Sequence, residues 1–141
     1  MVPDIEIQDL SVCFDTAQGP VYAVNGLSTT FRAGRISGVI GESGSGKSVM
    51  GMSLLRLLPN TARVTGKCFF GGDELYSMPL RQLRKLRGAA IGLIPQNPNA
   101  SLDPVMKLRR QLTEAITTHG KWKRREAEAQ AADLLRRFGF E

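Results

Sequence analysis

Cysteines are scarce in this sequence, and long apolar runs are absent. The only two cysteines, Cys13 and Cys68, lie far apart and form no CxxC pair, so they support neither a metal site nor a redox motif. We expect both to be reduced residues of a cytosolic protein. The longest apolar runs, such as AAIGLI at 89–94, are far shorter than the roughly 20 residues that span a bilayer, and the N-terminus lacks an export-signal pattern. We therefore expect neither export nor a membrane span.

Aromatic residues are also few, at 6% of the 141 residues, although the net charge is +6. Clustered Lys and Arg can bind nucleic acid by displacing the counterions of its phosphates. Here the basic clusters at 81–87, 107–110 and 121–125 coincide with helix-like patterns and lack a series of interleaved aromatics that could stack on bases. Solvated helix faces are the favoured interpretation, and we expect no nucleic-acid partner.

The order of the predicted elements is that of an α/β protein. Alternating apolar and polar residues predict a half-buried strand from Ile5 to Val12. Further β segments are predicted over 21–31, 35–41, 62–75 and 89–96. Apolar residues at helical spacing predict helices over 47–58, 79–88, 105–120 and 123–139. In the last helix, apolar residues recur at helical spacing and predict one apolar face: Ala127, Ala131, Leu134 or Leu135, and Phe138.

The stretch GESGSGKS, residues 41–48, lies between a predicted strand and a predicted helix and fits G-x-x-x-x-G-K-[ST], the phosphate-binding loop. Its glycines allow backbone angles that are closed to other residues, so that N–H groups can converge on an anion. The lysine is placed to reach the β- and γ-phosphates of a nucleotide, and the last serine to offer its hydroxyl to Mg²⁺. A flexible linker would leave the lysine and the flanking elements as coincidences. We therefore predict a nucleotide site formed by Gly41, Glu42, Ser43, Gly44, Ser45, Gly46, Lys47 and Ser48.

Three features together resemble the ATP-binding subunits of ABC transporters. They are GESGSGKS as the Walker A motif, the segment IPQNP that contains Gln96, and a leading β-meander that contains Phe14. The resemblance covers essentially the whole chain, as the N-terminal part of such a subunit. It implies an α/β P-loop NTPase fold of ABC type that is incomplete, with an N-terminal β-meander, parallel core strands beside the P-loop helix, and the start of a helical subdomain. It also implies ATP and Mg²⁺ as cofactors.

The resemblance divides the chain near residue 98, where the composition also changes. Residues 1–98 would form the ATP-binding core, with the A-loop, Walker A and the Q-loop. Residues 99–141 would form the beginning of the helical subdomain, here truncated.

Two residues outside the phosphate loop receive roles from the resemblance. Gln96 resembles the Q-loop glutamine: its carbonyl could contact Mg²⁺, as the hydroxyl of Ser48 could, and its amide could position the attacking water. As an alternative, Gln96 is an ordinary polar residue at the end of a strand. Phe14 would stack on adenine, although it could equally belong to the core, and Tyr22 is the competing ring.

The segments SVMGMSLLRLLPN and QNPNASLDPVM narrow the resemblance to the dipeptide, oligopeptide and nickel uptake branch of the family. The run Ser101, Leu102, Asp103 and Pro104 carries the second match. This implies an importer and leaves its solute undetermined.

Several motifs of the family's ATPase have no counterpart in this sequence. They are the LSGGQ signature, the Walker B strand with its catalytic glutamate, the D-loop and the switch histidine. The segment CFFGGDE at 68–74 has glycines where the Walker B strand should be and precedes Gln96, and the only histidine, His119, lies between helices, so we interpret both as structural. We expect a truncated chain, marginally stable alone, that binds Mg-ATP but hydrolyses it poorly, with ATPase activity belonging to the full-length parent.

The favoured hypothesis is an energy-coupling subunit, or a fragment of one, in an importer of peptides or related small solutes. The resemblance implies a second ATP-binding subunit, transmembrane permease subunits and an extracytoplasmic solute-binding protein as partners. It implies a location in the cytoplasm, on the inner face of the cell membrane. The alternatives are a soluble P-loop kinase or NTPase, although no clear acceptor-binding lid is found, and a non-catalytic product that binds nucleotide weakly.

Overall fold

The computed structural model describes residues 2–97, 101–120 and 122–140. The chain consists of two compact units, Met1–Leu93 and Ile94–Glu141. The described elements of the first unit are β1 Ile5–Thr16, β2 Gly19–Phe31, α1 Lys47–Leu54, β3 Ala62–Phe70, β4 Asp73–Glu74 and α2 Leu80–Leu86. Those of the second unit are α3 Leu108–His119 and α4 Arg124–Arg137. None of these described helices is long and apolar enough to cross a membrane.

The four strands form an antiparallel sheet in the order β2-β1-β3-β4. Short turns set this order, because residues 17–18 alone separate β1 from β2. Gly71 and Gly72 connect β3 to β4 with φ values of 64° and 92°, which a two-residue hairpin turn favours. The β-meander and the hairpin predicted over 62–75 are confirmed.

A bulge near Asp9 gives β1 one extra residue relative to both of its neighbours. Asp9 takes a φ of 50°, and its N–H donates to Ser28 Oγ at 2.9 Å. Because the extra residue resets the alternation, Ile7 and Leu10 are both buried although they lie three positions apart. A Cβ at Gly66 on β3 would lie 2.3 Å from the carbonyl oxygen of Asp9, so only glycine fits there.

The core of the first unit combines β1 and β3 with side chains from the helices and the loop after β4. Its buried members are Ile7, Leu10, Val12, Leu54, Cys68, Phe70, Leu75 and Leu83. Full burial of an aliphatic side chain of this size contributes roughly 2 kcal/mol, so this cluster is the main source of stability for the unit. Both cysteines are free thiols.

Helix α1 ends about one turn earlier than the helix predicted over 47–58. Arg56 takes a φ of 51°, and its N–H donates to the carbonyl of Ser53 at 2.9 Å. The N–H of Leu57 donates to the carbonyl of Met52 at 3.0 Å. This pair of hydrogen bonds is a Schellman motif, which closes a helix even when the left-handed residue is not glycine.

Residues 35–41 and 89–96, predicted as buried strands of a parallel core, are irregular in the structure. Ile36 and Ile40 are almost fully exposed, at 104% and 99%. A parallel strand needs ladder partners that arrive through crossover connections. The described residues supply only an isolated parallel bridge within 87–91. The α/β class is confirmed, but the prediction of parallel core strands is wrong for the sheet observed, which is antiparallel.

The second unit is a pair of packed helices. Ala127 and Ala131, one turn apart on α4, are buried, as is Thr113 on α3. Small side chains at such positions let two helices approach closely. Both predicted helices are confirmed with slightly shorter bounds, whereas Phe138, expected on the same apolar face, is 74% exposed.

Candidate nucleotide site

Residues 41–48 form an open loop that leads into α1. Gly44 and Gly46 have φ values of 83° and 88°, in the left-handed region that favours glycine. Helix α1 begins directly after Gly46, no described side chain caps its N-terminus, and its first turn holds no acidic residue. The first-turn N–H groups and the helix dipole therefore both favour an anion at this point.

The ammonium of Lys47 folds back over this loop. Its Nζ donates to the carbonyl oxygens of Gly41 and Glu42 at 2.8 and 2.6 Å and to Ser45 Oγ at 3.2 Å. The N–H of Ser45 in turn donates to the carbonyl of Glu42 at 3.2 Å, which tightens the loop. A phosphate entering the loop would meet a positive charge and a glycine-lined backbone together.

A close backbone approach joins the phosphate loop to β2. A Cβ at Gly46 would lie 2.0 Å from the carbonyl oxygen of Ala23, a backbone atom that cannot move aside cheaply. A Cβ at Gly41 would lie 2.6 Å from Ser45 Oγ, which can rotate, and a Cβ at Gly44 would meet nothing within 4 Å. Sequence reasoning missed this contact with Ala23, because no local pattern relates the two segments.

A cavity of about 550 Å³ lies between the loop and β2. Its lining comprises residues 23–28 of β2, loop residues that include Gly41, Ser45 and Lys47, and apolar side chains such as Ile40 and Met50. The volume is within the range of small-ligand pockets. The lining combines the ammonium of Lys47 with apolar side chains, so the residues present fit a nucleotide.

The two candidate adenine-stacking rings differ in exposure. Phe14 is half-buried, packs against the core cluster of the first unit and is not among the described residues that line the cavity. Tyr22 is 61% exposed and directly precedes Ala23, whose carbonyl approaches Gly46. The assignment of the adenine contact to Phe14 stays a prediction, with Tyr22 as its alternative.

Gln96 lies in the second unit, exposed and at a bend rather than at the end of a buried strand. Ser48 lies exposed in the first turn of α1. Among the described residues, no group of three or more His, Cys, Asp or Glu side chains could hold a metal ion. Mg²⁺ commonly takes few protein ligands together with phosphate oxygens, and the assignment of Ser48 and Gln96 to such an ion stays a prediction.

The carboxylate of Glu74 serves its own turn rather than a reaction centre. Its Oε1 accepts from the N–H of Tyr76 at 2.9 Å, and its Oε2 accepts from the N–H of Ser77 at 2.6 Å. Partial burial alone would raise the pKa of Glu74, but the hydrogen bonds from Ser77 and Tyr76 outweigh it and lower that pKa. His119 is the exposed last residue of α3. The interpretation of both residues as structural stays a prediction.

Comparison with known families decides the affiliation of this chain. The model of the ABC transporter family matches residues 24–141, which include the phosphate loop, Gln96 and the second unit. The chain belongs to the ABC transporter family. The resemblance inferred from the sequence is therefore confirmed, and membership in this family disfavours a soluble kinase.

Curated members of the ABC transporter family match most of the chain. The oligopeptide transport ATP-binding protein OppD of Salmonella typhimurium is 40% identical over 93% of this chain and 39% of its own length. The probable D,D-dipeptide transport ATP-binding protein DdpD of Escherichia coli is 38% identical over 94% of this chain and 41% of its length. OppD of Bacillus subtilis is 34% identical over 96% and 38%. The chain thus spans about two fifths of the length of these relatives.

A solved ABC structure shares the fold. The bacterial ABC transporter cassette MJ0796, solved as a dimer, aligns with a TM-score of 0.76 over 97% of this chain and 58% of its own. The sequence identity is 19%, so this likeness shows the cassette fold alone. The chain is accordingly a partial ABC cassette.

Proposed function

We propose that this chain is the Mg-ATP-binding part of an energy-coupling subunit in an ABC-type importer. The phosphate loop carries the proposal: the ammonium of Lys47 lies over a glycine-rich backbone at the uncapped N-terminus of α1. Such a loop alone is shared by many nucleotide-binding proteins. Membership in the ABC transporter family supports the choice among them.

Four residues of the loop have defined tasks in this proposal. The backbone N–H groups at Gly44, Gly46 and Lys47 cradle phosphate oxygens, and Lys47 Nζ exchanges its carbonyl contacts for the β- and γ-phosphates. The hydroxyl of Ser48 and the carbonyl of Gln96 hold Mg²⁺. Bound ATP supplies the phosphoryl transfer to water that powers an importer.

Peptides or related small solutes are the proposed cargo of the complete transporter. The names of two relatives, for oligopeptides and D,D-dipeptides, support this class. The run of residues 101–104 that resembles the same branch supports it independently of those names. Solute choice itself would be made by other subunits.

The proposed partners are a second ATP-binding subunit, transmembrane permease subunits and an extracytoplasmic solute-binding protein. The curated relatives are all named as transport ATP-binding proteins, which supports a permease as a partner. The dimeric structure of MJ0796 supports a second ATP-binding subunit as a partner. We propose a location in the cytoplasm, peripheral on the inner face of the cell membrane, because the permease would hold the subunit there.

The loop at 101–107 is our candidate for the contact with the permease. Gln111 Oε1 accepts from the N–H of Asp103, and Gln111 Nε2 donates to the carbonyls of Asp103 and Met106, all at 2.9 Å. Asp103 Oδ1 accepts from the N–H of Val105 at 2.9 Å. These hydrogen bonds fix the shape of the loop. Val105 has 92% of its surface exposed, which suits an apolar contact with the permease.

Calorimetric titration with Mg-ATP tests the nucleotide proposal. We expect the wild-type chain to bind, Lys47→Ala to lose at least about tenfold in affinity, and Gly46→Ala to lose binding because its Cβ collides with Ala23. Gly38→Ala is the control, since this glycine lies outside the loop, has no positive φ and has open space for a Cβ, and it should keep the wild-type affinity. Equal binding by wild type and Lys47→Ala, or no binding by either, would refute the proposal that residues 41–48 bind the phosphates.

The adenine contact needs its own pair of variants. If Phe14 stacks on adenine, Phe14→Ala should weaken Mg-ATP binding by about tenfold, the effect of losing one stacking ring, and leave binding of inorganic triphosphate unchanged. Tyr22→Ala should then bind like wild type. The reverse result would move the adenine contact to Tyr22.

A further inference from the structure

The guanidinium of Arg87 binds the end of α1 that lies away from the phosphate loop. Its Nε donates to the carbonyl oxygen of Leu55 at 2.9 Å, and one Nη donates to the carbonyls of both Leu55 and Arg56, the latter at 3.0 Å. Arg87 is half-buried, whereas the neighbouring basic residues Arg84 and Lys85 on α2 are exposed. The planar donor group of arginine suits such a fixed, multiple contact.

These carbonyls are where the helix needs a cation. Leu55 is the C-cap of α1, and Arg56 is the left-handed residue of the Schellman motif that closes it. The C-terminus of a helix carries a partial negative charge, and its last carbonyls lack partners within the helix. Arg87 therefore supplies both charge and hydrogen bonds at one point.

Burial makes this contact more than an incidental surface pair. Desolvation lowers the pKa of Arg87, and the nearby charges of Arg56 and Arg84 lower it further, so its setting works against the cation. A guanidinium held in such a place needs acceptors. The carbonyls at the end of α1 provide them.

Helix α1 is short, and its most deeply buried side chains lie at its C-terminal end, whereas Val49 and Met50 near its start are only partly buried against the core. The helix has eight residues, about 12 Å of length, and its buried side chains, Ser53 and Leu54, both belong to its last turn. Lys47 and Ser48 occupy its first turn. The last turn, as the most deeply buried part of α1, therefore contributes to the orientation of the first turn.

We propose that Arg87 is a positioning residue for the nucleotide site: by clamping the C-terminal end of α1, it aims the N–H groups and the lysine of the first turn at the phosphates. This inference rests on the proposed function, because it concerns the same site. It adds a residue that touches no nucleotide and lies outside the phosphate loop.

Calorimetry of the 141-residue chain with Mg-ATP tests the clamp, at a temperature where circular dichroism shows every variant folded. Arg87→Ala should weaken binding by about tenfold, or about 1.4 kcal/mol, and Arg87→Lys by about threefold, because an ammonium has no rigid fork. Arg84→Ala, which removes an exposed arginine from the same basic run, should bind like wild type.

Hydrogen exchange, measured as the gain in protection when Mg-ATP is added, separates positioning from a loosened helix, because loosening is already present without nucleotide. With Mg-ATP at saturation for each variant, amides of residues 44–50 should gain protection in wild type and Arg84→Ala but less so in Arg87→Ala. Folded Arg87→Ala with wild-type affinity and wild-type protection would overturn the proposal. If that variant does not fold, Arg87→Lys decides, and wild-type affinity in it would overturn the proposal equally. Failure of wild type itself to bind would instead refute the proposed function.

Discussion

Residues 5–31 and residues 35–41 have similar sequence patterns but differ in structure. Both carry β-branched and apolar residues, yet the first stretch forms two paired strands and the second is irregular and exposed. In the first, the partner strand follows after a two-residue turn, so an antiparallel ladder closes locally. In the second, the ladder would have to be parallel and delivered by a crossover. An apolar pattern therefore predicts a strand only where a pairing partner is in place.

The most sensitive point of the paired region is Gly66. Gly66→Ala should destabilise the first unit by about 4 kcal/mol, because its Cβ would meet the backbone of Asp9 and its φ is 91°. Gly72→Ala is the matched control: its φ is 92° but its Cβ would meet nothing within 4 Å, so it should cost about 1 kcal/mol. Urea unfolding followed by circular dichroism measures both. Equal midpoints would show that β1 and β3 are not in tight contact here.

A pair of aliphatic truncations tests the difference between the two regions directly. Leu10→Ala should cost about 3 kcal/mol, because Leu10 is fully buried and a cavity would replace its side chain. Ile40→Ala removes a side chain that is 99% exposed and should change the unfolding free energy by less than about 0.5 kcal/mol. The same urea titration compares them. A large loss in Ile40→Ala would mean that residues 35–41 do pack in solution.

Alkaline pH should weaken the paired region through Cys68. Burial, with a smaller contribution from Glu74, raises the pKa of this thiol from 9.0 to about 11. The folded state then keeps a proton that the unfolded state loses, so stability is intact below pH 9 and falls as the pH rises toward 11, by about 2 kcal/mol in all. Unfolding free energies measured across this window should fall less steeply in Cys68→Ala.

Cys13→Ala is the control for this titration, since it removes the other free thiol and should keep the wild-type slope. Tyr76, whose pKa burial raises to about 12, should add a further decline at the upper end in every variant. Identical slopes for wild type and Cys68→Ala would contradict the buried thiol as the cause.

Local patterns predicted the parts of the fold that depend on near neighbours in sequence. The turn at Gly71 and Gly72, the helical spacing of Ala127 and Ala131, and the loop before α1 are all of this kind. What could not be predicted depends on contacts between distant segments. No pattern indicates that Arg87 reaches the end of α1, that Ala23 touches Gly46, or that residues 35–41 pair with no strand in the part of the chain that the structure describes.

The bulge at Asp9 has a consequence for the length of β1. Between Ile7 and Leu10 the strand carries one residue more than β2 and β3 require, and both of these side chains nevertheless face the core. Removing one residue at this point would restore plain alternation and leave both halves of the strand in phase with the core. An unbulged strand cannot absorb such a deletion, because a one-residue shift turns every later side chain to the opposite face. Because of the bulge, β1 could therefore lose one residue at this point and still keep its buried side chains facing the core.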